Sequence, residues 1–89
     1  MLNITEAAGE YLTALLERAN APEDQAIRLR LLDDDALAPS VDTVRDDDES
    51  IDHNGRLILL LDSRARDYLR DSMLDVEETP DGPKLLILQ

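Results

Sequence analysis

An α+β domain of mostly antiparallel strands, with an N-terminal helix and a short second helix, is the fold class this sequence predicts. Apolar residues recur at helical spacing near the N-terminus and once more, briefly, after residue 62. Elsewhere they alternate, or run in short stretches bounded by turn residues. Strands nowhere alternate with long helices, so a Rossmann-like parallel sheet is not expected.

Thr5 can cap the first helix, and Glu6 places negative charge in its first turn, where the helix dipole favours it. Ala8, Tyr11, Leu12, Leu15, Leu16 and Ala19 then share one helical face, and Asn20-Ala21-Pro22 stops the helix. Ile27, Leu29 and Leu31 alternate with Arg28 and Arg30, the period of a half-buried strand, which Asp33-Asp34-Asp35 ends. The two arginines face the same way, which predicts solvated salt bridges on a strand face; the alternative is a charged seam for a second subunit. Residues 36–40 read as a loop, 41–45 as a second strand and 46–49 as another break.

Asn54-Gly55 is a strong hairpin signal, because both residues tolerate positive φ in a type I′ turn. It joins a short strand around residues 50–53 to the apolar run 57–61, which predicts a strand covered on both faces. Asp62-Ser63 opens the short helix, with Ser63 as cap and Ala65, Tyr68 and Leu69 on one side. Leu74 and Val76 alternate with Asp75 and Glu77, and Met73 reads as core filler. Pro80-Asp81-Gly82 is a turn, and residues 85–88 complete a final hairpin. The 89 residues leave room for one domain, 1–89, burying only roughly 60–65% of its unfolded surface, so association is attractive.

Composition narrows function. The chain holds 17 Leu, 5 Ile and 3 Val against 2 Tyr, with no Phe or Trp, which argues against stacking platforms for bases or sugars. A net charge of −12 without a compensating basic stripe argues against nucleic acid and against anionic membranes. No segment is long enough to span a bilayer, Glu6 and Glu10 interrupt any signal-peptide pattern, and the absence of cysteine excludes disulfides; a cytoplasmic protein is expected.

Candidate chemistry is sparse. Asp33, Asp34 and Asp35, with Asp46, Asp47 and Asp48, are the metal candidates, since hard cations take carboxylate oxygens. Neither cluster has an EF-hand's spacing, and an antiparallel pairing of the flanking strands sets the two at opposite ends. His53, beside a hairpin turn, is the one side chain of a type whose reference pKa lies near neutrality and so could serve as a general base, but an exposed turn lacks a shaped pocket. Ser40, Ser50, Ser63 and Ser72 have no glycine elbow, and Gly9 has no phosphate-cradling loop around it. No catalytic residue and no cofactor site emerge.

The layout resembles the IscA/HesB family, the A-type proteins of iron–sulfur cluster assembly. Ile4-Thr5-Glu6-Ala7-Ala8 matches its helix opening, and Ile27-Arg28-Leu29 its Leu-Arg-Leu strand. The turn at residues 52–55, the apolar strand 57–61 and Asp62, Tyr68, Leu69, Leu74 and Asp75 follow in order. Gly82-Pro83-Lys84-Leu85 stands for the family's Gly-Phe-Lys-Phe strand. The resemblance implies a HesB-like domain, protein partners of the iron–sulfur assembly system and a homo-oligomer such as a dimer. It also shows what differs. The family's Gly-Cys-Ser-Gly loop corresponds to about Asp35-Ala36-Leu37-Ala38, and the sequence stops at Gln89, before the family's Cys-Gly-Cys tail. The expectation is a cysteine-less, C-terminally truncated relative: a non-enzymatic protein-binding or accessory module. The alternative is a carboxylate-dependent protein for iron or another hard cation.

Overall fold

A computed structural model describes residues 2–34 and 36–89. The chain runs β1 (Asn3–Ile4), α1 (Glu6–Arg18), β2 (Gln25–Leu31), β3 (Leu37–Thr43), β4 (Glu49–His53), β5 (Arg56–Leu61), α2 (Ser63–Tyr68), β6 (Met73–Thr79) and β7 (Gly82–Leu88). This is the expected α+β class. Two mixed sheets form, one ordered β3-β2-β5-β4 and the other β1-β6-β7. Antiparallel pairs dominate; β2 with β5 and β1 with β6 are parallel.

Helix α1 starts as its sequence dictates: the Thr5 hydroxyl accepts from the Ala8 amide at 3.1 Å and donates to Asp75 Oδ1 at 2.8 Å. The cap therefore also ties the helix to β6. Asn20 ends it at φ 54°, with its amide on Glu17 O and that of Ala21 on Leu16 O, a Schellman closure in which asparagine replaces the usual glycine. Leu12 and Leu16 carry the helix into a core shared with Ile27, Leu29, Leu59, Leu61, Leu69 and Leu74.

The path from β3 to β4 shapes the rest. These strands are the opposite edges of their sheet, so the connection must cross β2 and β5 over one face. Three strand spacings amount to roughly 14 Å, a distance five extended residues can cover, and residues 44–48 make the crossing. With that face covered, Ile58, Leu59, Leu60 and Leu61 are all fully buried, as the apolar run predicts.

Several expectations are corrected. Strand β3 begins at Leu37, not after a loop over 36–40, because a tight return closed by Leu32 N to Ala36 O at 2.8 Å sets Leu37 opposite Leu31. The opening residues Asn3 and Ile4 form a parallel bridge with Met73 and Leu74. Asp62, not Ser63, caps α2: it is extended, and its carboxylate accepts from Ala65 N at 2.8 Å. Met73 is 40% exposed and is no core filler, because strand alternation turns Leu74 inward and Met73 outward.

Candidate functional site

Arg28 departs most from expectation. It is only 3% exposed, whereas Arg30, two residues on, is exposed. Its guanidinium meets Asp48 in a fork, Nη1 to Oδ1 at 2.7 Å and Nη2 to Oδ2 at 2.6 Å. Nε donates to Asp42 Oδ2 at 2.8 Å and Nη2 to Thr43 O at 3.1 Å. Asp48 in turn accepts from Arg45 N at 2.7 Å. The cluster pins the 44–48 crossing onto the sheet. Hydrogen bonding to Arg28 holds both Asp48 and Asp42 below the usual carboxylate range, and the Arg28 guanidinium is held charged more firmly than usual, chiefly by Asp48. Alternation alone predicts a solvated arginine; the crossing segment that buries it is separated by many residues from β2 and leaves no local signal.

The other metal candidates stay apart. Asp33 and Asp34 lie exposed in the β2–β3 return, where Asp34 Oδ1 accepts from Ala36 N at 3.2 Å, and Asp35 lies outside the described residues. Asp46 and Asp47 are exposed in the crossing segment, at the other end of the β2–β3 pair. Among the described residues, no group of three or more His, Asp or Glu side chains is arranged to hold a metal ion.

His53 is half-buried, unlike the exposed turn residue expected. Its ring lies over Gly9 of α1 so closely that a Cβ built there would stand 2.5 Å from Nδ1. Gly9 is thus a packing glycine, for which the sequence offers no other signal. Beside it, Arg56 gathers the return from α1 to β2, donating to Glu23 O at 3.0 Å, Gln25 O at 3.1 Å and Pro22 O at 3.2 Å.

Between the two helices and the strands lies an apolar groove of about 610 Å³. Tyr11 and Leu15 of α1 and Tyr68 of α2 form one side; Leu29 of β2 with Leu37 and Pro39 of β3 forms another. Leu74 of β6 and Leu85 and Ile87 of β7 complete it, with Lys84 and Gln89 as polar groups. Leu37 and Gln89 therefore border one groove. They adjoin the two places, the loop before Leu37 and the region past β7, where the resemblance sets the family's cysteines. The lining is aliphatic and phenolic, with no soft donor, and does not fit an iron–sulfur cluster.

Two sheets sharing one core, a helix docked by its cap and a single polar crossing define a small α+β scaffold whose concave side is apolar. No family model matches the sequence, and no curated protein matches it. Solved structures do. SufA of Escherichia coli, involved in biosynthesis of iron–sulfur clusters, is similar with a TM-score of 0.71 at 20% identity, over 97% of this chain and 82% of that one. IscA with a 2Fe–2S cluster gives 0.67 at 17% identity, over 98% and 83%. A protein from Aquifex aeolicus gives 0.70 at 19%, over 99% and 90%. The fold is IscA/HesB-like, and it is present in a chain without cysteine. Among the described residues, no helix is long and apolar enough to cross a membrane.

Proposed function

We propose that this chain is a non-enzymatic, protein-binding accessory module of iron–sulfur cluster assembly, working in the cytoplasm as one domain. The observation that supports this is the groove beside Leu37 and Gln89, whose lining is suited to side-chain contact and not to metal ligation, in a chain of A-type-like overall fold. An apolar concavity with a few polar groups at its margin is the usual form of a recognition site. The module acts beside cluster carriers by contacting their partners, and holds no cluster of its own.

Two measurements test this. Anaerobic reconstitution of the isolated protein with ferrous iron and sulfide should yield no stoichiometric cluster chromophore. Calorimetric titration with purified cysteine desulfurase, scaffold and A-type carrier proteins should find at least one binder, weakened by Leu37→Asp. A stoichiometric cluster, or no binding to any of the three, removes the reading.

A further inference from the structure

Two of the strands bordering the apolar groove are sheet edges. Strand β3 ends one sheet and β7 the other, so each has a strand neighbour on one side alone. Leu37 and Pro39 line the groove from β3; Leu85 and Ile87 line it from β7 and also pack against the core. The recess therefore offers backbone groups as well as side chains. An occupant that uses both is an extended segment, added as a further strand with alternate side chains entering the groove.

The registers show which edge can take it. Thr79 faces Gly82 across the Pro80-Asp81 turn, and in a two-residue hairpin the flanking pair exchanges both hydrogen bonds. Alternation leaves the backbone groups of residues 83, 85 and 87 on the open side of β7. Pro83 sits at the beginning of the strand, so Leu85 and Ile87 keep both N–H and C=O for a neighbour. On β3 the return closed by Leu32 N to Ala36 O starts the same alternation and leaves residues 37, 39 and 41 open. There the middle position is Pro39, which has no N–H and so guards the edge. Strand β7 is the edge whose open residues line the groove without interruption.

Charge selects the partner. No carboxylate lines the groove, but several stand at its margins. Glu77 and Glu78 of β6 and Asp81 of the turn are exposed beside the start of β7, and Asp33 and Asp34 are exposed in the return before Leu37. Asp75 is committed to the Thr5 hydroxyl and the Val76 amide. Lys84, the only lysine in the chain, stands opposite Glu77 and offsets one of these charges. Arg30 lies on the opposite face of β2 from Leu29, away from the groove.

We propose that the groove takes an extended segment of a partner protein as a strand added to β7, with aliphatic residues at alternate positions and lysine or arginine at its ends. A second copy of this chain, with net charge −12, brings the wrong sign. Strand addition rests on the groove being a protein-recognition surface, as proposed above, and specifies the segment recognised there.

A dye-labelled synthetic peptide of alternating valine and threonine, with lysines at both ends, tests it on the full chain by fluorescence anisotropy. We expect binding that weakens on the order of 10-fold when glutamates replace the lysines. In a strand only one alternate set of amides faces a given neighbour. N-methylating either the valines or the threonines should therefore cost about 10-fold, and methylating the other set little. Hydrogen exchange should show the Leu85 and Ile87 amides protected by the lysine-flanked peptide. No binding overturns the proposal, as do equal effects of the two methylations, or protection at Leu37 and Val41 in place of Leu85 and Ile87. Protection of Leu85 and Ile87 that rises with protein concentration alone gives the edge to a second copy and overturns it as well. An assembly protein that binds without protecting Leu85 and Ile87 removes the strand addition and leaves the proposed function. The peptide binding as expected while no assembly protein does removes the function and leaves the strand addition.

Discussion

The two sides of β2 are built on opposite principles. One carries Leu29 to the wall of an open, aliphatic groove; the other carries Arg28 into a closed cluster with Asp42 and Asp48. The charged side is the locked one. A buried fork with several satisfied partners has one good geometry, and losing a partner strands charge out of water. The apolar side is permissive, because side chains at a groove margin exchange one hydrophobic contact for another. The polar face thus fixes the crossing segment in one place, while the apolar face, whose Leu29 also belongs to the core, offers the surface that the proposed partner would use.

The sharpest way to break this contrast is Arg28→Ala. Asp48, whose side chain is 0% exposed, keeps only its bond from Arg45 N. The expected loss is about 3–5 kcal/mol, a large share of a small domain's stability, read by urea denaturation at neutral pH. Arg28→Lys should recover little, since one ammonium cannot serve two carboxylates and a carbonyl in the same fork. Acid should imitate the substitution. Because Arg28 lowers the Asp42 and Asp48 pKa values, their stabilisation is present above the ordinary carboxylate value of about 4 and is lost as pH falls below it. Asp75, lowered mainly by the Thr5 hydroxyl, adds in the same direction. Denaturation midpoints of wild type should drop below pH ~4 more steeply than those of any Arg28 variant that still folds. Parallel curves would refute the assignment of the acid sensitivity to this cluster.

A smaller effect concerns α1, where propensity and packing disagree. In an open helix Gly9→Ala gains up to about 1 kcal/mol. Here the new methyl meets the His53 ring, so the expected result is a net loss on the order of 1 kcal/mol. In a His53→Ala background the same change should become stabilising. Thermal denaturation of the four-member cycle reads the coupling, and an unchanged sign in both backgrounds would show that the ring yields freely.

The origin of each feature decides how much of it the sequence disclosed. Helix α1, the Asn54-Gly55 turn and the buried run of β5 were legible because each is set by residues within a few positions of one another. Asn54 and Gly55 do adopt φ 53° and 81°. The two aspartate clusters also lie at opposite ends of the β2–β3 pair, as the pairing argument required. Arg28, His53 and the groove were not legible, since each depends on segments far apart in the chain. Period-2 alternation assigns Arg28 and Arg30 the same environment; only the crossing by residues 44–48 separates them. Met73 misled for a different reason: the alternation of Leu74 and Val76 with Asp75 and Glu77 already sets it on the outer face, and its residue type suggested the core instead.

The mildest expected change in stability is Tyr68→Ala, at the groove margin on α2. Tyr68 is 38% exposed, so removing its ring should cost less than about 1 kcal/mol, in the range of surface substitutions. Its effect on partner binding should be the larger one, about tenfold or more, because aromatic side chains at the edge of an apolar recess commonly anchor a partner. Arg28 supplies the opposite profile: a conservative change there weakens folding first, and binding only as the folded fraction falls. Measuring both quantities for both variants separates the two sides of β2 directly. If Tyr68→Ala lowered stability and affinity by the same free energy, the groove would be another part of the core and the division between a locked and a permissive face would not hold.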